Sequence, residues 1–163
     1  MKKVLFALIG VAVAALVAYT VFFDKESAPE VSYTSLTGQT ASTSSLKGKV
    51  VLVNFWATSC TGCVAEMAKL KATHERYAPQ GYETVAVAMS YDPPNYVKAF
   101  VTDNKLPFFV TLDTNGAIAK AFGDIQLAPT TFLIDKHGKV IKRYVGEPNF
   151  AELHGLIEQA LKA

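Results

Sequence analysis

The alternation of apolar and polar positions divides this chain into two unequal parts. From Val4 to Phe23 twenty residues pass without a charge, and at about 1.5 Å per residue a helix of that length spans roughly 30 Å, the thickness of bilayer hydrocarbon. Beyond Asp24 the apolar runs shorten and are separated by polar, glycine- and proline-bearing turns, which predicts strands and helices of a folded domain. The strongest of these runs, Val50 to Phe55, marks a strand covered on both faces. After it come Trp56, Ala57, Thr58 and Ser59, then Cys60-Thr61-Gly62-Cys63, and a helix predicted from about Thr61 to Ala78, stopped by Pro79 and Gly81.

The remaining elements follow from the same periodicities. Val31 to Leu36 and Gln39 to Ser45, split by Thr37-Gly38, predict a β-hairpin whose second arm is polar and weakly specified. The turn Leu46-Lys47-Gly48-Lys49 leads into the buried strand. Tyr82 to Met89 predicts a strand, Asp92-Pro93-Pro94 a turn, Asn95 to Asn104 a helix, Phe108 to Leu112 a strand and Gly116 to Phe122 a short helix. Thr130 to Ile134 and Val140 to Val145 form a hairpin about Lys136-His137-Gly138, and Phe150 to Leu161 closes the chain as an amphipathic helix. Strands alternating with helices and ending in a hairpin predict an α/β sandwich with a mixed sheet.

Charge settles orientation and excludes one class of partner. Lys2 and Lys3 precede the long apolar run while Asp24 and Glu26 follow it, so the N-terminus stays in the cytoplasm and the rest is exported. The organisation read from this is a signal-anchor transmembrane helix over 1–23, a polar linker over 24–30 and a single domain over 31–163. A cleaved signal peptide, cut near Ala12-Val13-Ala14 or Ala18, is the rival, but an apolar run continuing through Val21, Phe22 and Phe23 is longer than signal h-regions. On either reading the cysteines lie outside the cytosol. With half the residues apolar, 18% charged and a net charge of only +2, the chain is not disordered, and no basic cluster after the first three residues supports nucleic-acid binding.

Cys60 and Cys63 are the only cysteines. Three apart in a first helical turn, they can satisfy the Cα separation of roughly 4.4–6.8 Å that a disulfide requires. Free N–H groups and the positive end of the helix dipole favour a thiolate on Cys60, making it the attacking sulfur and Cys63 the resolving one. A structural zinc site needs four ligands, and His74, His137 and His154 are scattered. A purely structural disulfide closing so short a loop would constrain the unfolded chain little.

Read together, Leu46-Lys47-Gly48-Lys49, Val50 to Cys63, and Ala128-Pro129-Thr130-Thr131-Phe132-Leu133-Ile134-Asp135 resemble the membrane-tethered thiol–disulfide oxidoreductases of the TlpA/ResA type, with a thioredoxin-like fold. The resemblance covers roughly Val31 to Ala163. It implies a mixed central sheet flanked by helices, an N-terminal hairpin extension and no cofactor. The implied partners are an extracytoplasmic protein carrying a disulfide, as in cytochrome c maturation or metal-site assembly, and a membrane-embedded thiol electron donor at the inner membrane.

Site residues follow from the resemblance position by position. Trp56 would pack beside the cysteines as an apolar platform, as a core aromatic, or as both at once. Pro129, trans on base rates alone, would be cis and face the cysteine pair, with the Ala128 backbone pairing to a substrate strand. Glu66, three residues after Cys63 on the same helix face, matches a glutamate of the ResA branch and would manage the resolving thiol's proton, because Asn54 stands where cytosolic thioredoxins have a buried aspartate. The alternative for Glu66 is a solvated surface position. Departures from the pattern are Ser59 in place of a second tryptophan, Thr61-Gly62 in place of a Gly-Pro or Glu-Pro pair, and Ala68 near the position of a helix-kinking proline, so a straighter helix is expected. With no histidine between the cysteines to stabilise the thiolate further, a reductant is expected. Two rival functions are a thiol peroxidase, whose motif would need other residues than Ala57 and Val53, and a copper chaperone, for which His137 lies about 20 Å from the Pro129 loop at roughly 3.3 Å per residue.

Overall fold

The structure, a computed structural model, describes residues 26–163. The expected membrane helix over 1–23 lies outside them, and among the described residues no helix is long and apolar enough to cross a membrane. The elements in chain order are β1 (Ser32–Thr34), β2 (Thr40–Ser42), a 3₁₀ turn (Ser44–Leu46), β3 (Val50–Trp56), α1 (Thr61–Tyr77), a second 3₁₀ turn (Ala78–Gln80), β4 (Tyr82–Ala88), α2 (Pro94–Asn104), β5 (Phe109–Leu112), α3 (Ala117–Ala121), β6 (Thr130–Ile134), β7 (Val140–Val145) and α4 (Phe150–Lys162).

Five strands form one mixed sheet in the order β5-β4-β3-β6-β7. β3 and β4 run parallel, as do β4 and β5, because α1 and α2 carry the chain back to the starting edge. β6 and β7 join antiparallel as the predicted hairpin. β3 lies at the centre with every side chain buried, the environment its apolar run calls for.

Alternation along β3 separates two cores. Val50, Leu52 and Trp56 face α1, α2 and α4 and meet Cys63, Met67, Leu70, Val97, Leu153 and Ile157. Val51, Val53 and Phe55 face the other way, against Tyr33, Val85, Val87, Phe122 and Phe132.

Helix ends follow the local chemistry. Tyr77 closes α1, and the chain leaves through Gly81, whose φ of 97° is open to glycine. Pro94 occupies the first turn of α2, where its missing N–H would be unpaired in any case. α1 runs without a break through Ala68.

The N-terminal part differs from expectation. The first hairpin has three-residue arms, paired Ser32↔Ser42 to Thr34↔Thr40, because the polar second arm soon turns into the 3₁₀ segment, where Ser42 and Ser45 hydrogen-bond to one another. Ser35 bridges to Thr111 and the Leu36 N–H donates to the Val110 carbonyl, so the hairpin leans on the β5 edge. At the opposite edge, within the segment read as linker, Val140 N–H donates to the Glu26 carbonyl and Ala28 N–H to that of Gly138. That part of the segment is bound to the domain rather than free.

Candidate active site

β3 delivers the chain to the site and α1 receives it. Between them residues 57–60 form one tight turn, in which Cys60 N–H donates to the Ala57 carbonyl at 3.1 Å. Cys60 is the N-cap of α1, with its sulfur accepting from Cys63 N–H at 3.2 Å. The two cysteines form a disulfide with a Cα–Cα distance of 5.2 Å, inside the range the bond requires. Their environments are unequal: Cys60 is half-buried and Cys63 is sealed at 0% exposure. Only the first can meet a sulfur from outside without rearrangement.

Opposite the pair stands the loop before β6. The Ala128–Pro129 bond is cis, and the Ala128 carbonyl oxygen lies 3.5 Å from Cys60 Sγ. Leu127, one residue earlier, is largely exposed. The backbone expected to meet a partner chain is therefore beside the accessible sulfur.

Beneath the disulfide the α1-facing side of β3 turns polar. Asn54 is fully buried, and its side-chain amide donates to Glu66 Oε1 at 2.8 Å and to Thr131 Oγ1 at 2.9 Å. Thr131 pairs with Asn54 across the β3–β6 ladder, which fixes the second bond. Glu66 is also at 0% exposure, so the solvated-surface alternative does not hold. Burial pushes its carboxyl up to about 7; the Asn54 hydrogen bond opposes that, Glu147 adds to it, and Lys69 opposes it. One bond from a neutral amide does not replace the water a carboxylate loses, and Glu66 Oε2 has no hydrogen-bond partner among the described residues. A carboxyl so placed exchanges its proton near neutrality, one helical turn from Cys63 on the same face.

Trp56 is a core aromatic: it is fully buried, with its ring 5.2 Å from that of Phe100, and it packs in the same apolar cluster as Cys63, with Cys60 against it. His74 is buried beside Thr84 and Phe108, with burial lowering its pKa, and belongs to the packing of α1. His137 lies in the β6–β7 turn, at the other end of β6 from Pro129, where its N–H donates to Asp135. Val53 faces the second core, away from the cysteines.

Two residues of the site escape a reading of the sequence. Thr131 is one of two threonines opening an otherwise apolar strand, and only its register against Asn54 gives it a role. Asp92 reads as an ordinary turn residue before Pro93-Pro94, yet its carboxylate accepts from Thr58 N–H at 2.6 Å and from the Thr58 hydroxyl at 2.5 Å. The two lie 34 positions apart, and no local signal pairs them.

Comparisons with known proteins agree with this geometry. The chain matches the Redoxin family over residues 24–157. It is 34% identical over 164 residues to the thiol-disulfide oxidoreductase ResA of Bacillus thuringiensis subsp. konkukian, covering 96% of this chain and 94% of that one. A solution structure described as that of a thioredoxin from Neisseria meningitidis superposes with a TM-score of 0.78 at 43% identity, covering 85% of this chain and 92% of the other. A thiol:disulfide interchange protein of the thioredoxin family from Chlorobium tepidum does so with a TM-score of 0.76 at 29% identity, covering 84% and 97%. The fold is thus thioredoxin-like. The Cys60–Cys63 pair at the mouth of one helix is consistent with the redox site of such an enzyme, and this chain belongs to the Redoxin family as a thioredoxin-like thiol–disulfide oxidoreductase.

Proposed function

We propose that the enzyme acts outside the cytoplasm as a reductant of protein disulfides, anchored in the inner membrane by residues 1–23 with its domain in the periplasm. Its substrate is an extracytoplasmic protein with a disulfide, of the kind handled in cytochrome c maturation or metal-site assembly, and a membrane-embedded thiol donor returns it to the dithiol. The order of attack rests on the unequal burial of the sulfurs, Cys60 reachable and Cys63 sealed. The Cys60 thiolate, favoured by the helix N-terminus, attacks one sulfur of the substrate disulfide. The other substrate sulfur leaves as a thiolate and takes a proton. Cys63 then passes its proton to the Glu66 carboxylate and attacks Cys60 Sγ, closing the Cys60–Cys63 bond and releasing the second substrate sulfur as a thiolate. That thiolate takes a proton from solvent and Glu66 returns its own to solvent, so the substrate gains two electrons and two protons while the enzyme loses as many. Ala128 and the cis Pro129 lie where an extended substrate segment can align its backbone before the exchange.

No Lys, Arg or His occurs between residues 57 and 65 to stabilise the thiolate further, which favours a reducing poise. The test is to express the full chain as Cys63→Ser in its native envelope and to measure the wild-type equilibrium with glutathione. The variant is expected to accumulate a mixed disulfide on Cys60 with an exported protein. A potential near the about −120 mV of strongly oxidising periplasmic enzymes would overturn the direction proposed.

A further inference from the structure

We infer that Asp92 is a positioning residue of this active site, seating Cys60 and setting how readily its thiolate forms. It lies in the loop between β4 and α2 and is 4% exposed. Both carboxylate oxygens are taken by one residue, Thr58, through its backbone N–H and its hydroxyl. Asp92 is itself fixed, since its N–H donates to the Met89 carbonyl at 2.9 Å. Thr58 belongs to the irregular turn between β3 and α1, so the clamp ties the approach to Cys60 to the neighbouring β4–α2 loop.

The clamp also places a charge. Two residues span at most about 7 Å between Cα atoms, so the Asp92 carboxylate is anchored close to where the Cys60 thiolate forms. No cation pairs with it among the described residues. Residues 57–65 and 125–134 hold no titratable group besides the cysteines. Of the titratable groups on the neighbouring elements, Asp113 lines the same cavity as Asp92 with its carboxylate accepting from the Ile118 and Ala119 N–H groups, Tyr91 shares the β4–α2 loop, Tyr96 and Lys98 lie on α2, and Glu66, Lys69 and Lys71 lie on α1. Asp92 therefore opposes the helix N-terminus: a fixed negative charge disfavours a second one nearby. Where the thiolate is disfavoured the dithiol is less stable relative to the disulfide, and the pair reduces more strongly. This rests on Cys60 as the attacking sulfur.

The effect exists only where Cys60 ionises. Well below the thiol's pKa the dithiol is protonated with or without the charge, so any difference opens as the pH rises through that value. The experiment uses the full chain as wild type, Asp92→Asn and Thr58→Ser, reading thiolate absorbance against pH and the equilibrium constant with glutathione at pH 6 and pH 9. Asparagine keeps a hydrogen-bonding clamp and removes the charge. It is expected to raise the Cys60 acid dissociation constant about threefold to tenfold. It should also move the glutathione equilibrium toward the dithiol by a similar factor at pH 9, tenfold being about 30 mV, and by little at pH 6. Thr58→Ser, which keeps both donors, is expected to match wild type. Wild-type thiolate titration in Asp92→Asn, or a shift equal at both pH values, would overturn the inference. A wild-type potential in the oxidising range would overturn the proposed direction and leave the comparison of the two carboxyl states standing.

Discussion

β3 presents two faces that share a backbone and little else. On one, Val51, Val53 and Phe55 pack against apolar partners, with the Phe55, Phe122 and Phe132 rings meeting at centroid distances of 5.0–6.1 Å. On the other, Val50, Leu52 and Trp56 are interrupted by Asn54, and the buried carboxyl of Glu66 lies across from it. Three buried polar atoms on this side, Asn54 Oδ1, Trp56 Nε1 and Glu66 Oε2, have no hydrogen-bond partner among the described residues. Burying such atoms is unfavourable, so they subtract from what the apolar side chains of this face contribute. The difference teaches that both faces bury apolar side chains but only the α1 face sets buried polar groups among them. The α1 face carries the groups suited to proton transfer.

The comparison breaks most visibly on the apolar side. Phe122 is 5% exposed and touches both Phe55 and Phe132. Phe122→Ala leaves a cavity that neighbouring rings only partly fill, and is expected to lower unfolding free energy by about 3–5 kcal/mol. The folded fraction should still form a mixed disulfide at the wild-type rate. Urea unfolding and stopped-flow exchange on one preparation check this, and a slowed exchange step would mean that the two faces are not separable.

The second prediction concerns the chemical face and has the opposite sign. The Glu66 carboxyl titrates near 7 in the fold against an ordinary 4.5, so between those values the native state holds a proton that the unfolded chain has released. The contribution of Glu66 to stability is therefore fully present below pH 4.5 and is lost as the pH rises through 7, by about 3 kcal/mol in all. Glu66→Gln has no proton to lose and should lack this slope. The measurement is denaturant unfolding of both proteins at pH 4 and pH 8. Parallel stability curves would place the Glu66 carboxyl back in the ordinary range. The same variant should resolve the Cys60 mixed disulfide slowly, without a rate midpoint near 7.

Much of this arrangement is legible in the sequence, for local reasons. Gly and Pro punctuate the helices and strands, so Gly81 and Pro94 mark boundaries that the fold respects to within a residue or two. The cysteine pair declares itself because its spacing is a geometric statement. What resists reading is long-range. Glu66 sits between Cys63 and Leu70 at a helical position that suits either solvent or core, and only Asn54, twelve residues back on another element, decides for the core. Asp92 looks like turn chemistry because its partner comes from a different loop. The shortened first hairpin belongs to the same class, since its polar arm has no register of its own and takes its place from the β5 edge.

The smallest expected effect tests whether the polar pair on the α1 face acts as a unit. Asn54→Leu keeps the branched shape of the side chain with bulkier ends, so it leaves no cavity, but withdraws the one hydrogen bond that reaches the Glu66 carboxyl. That bond is the largest influence lowering a pKa that burial raises, so its loss should move the carboxyl further upward. At pH 8, where Glu66 must ionise unassisted, the variant is expected to be destabilised by about 1–3 kcal/mol. At pH 4, where the carboxyl is neutral, the loss should be smaller. The carbonyl stretch of a protonated carboxyl, followed by infrared titration, reports the shift directly. An unchanged midpoint would mean that Asn54 serves the Thr131 contact alone and does nothing to lower the proton affinity that burial gives Glu66.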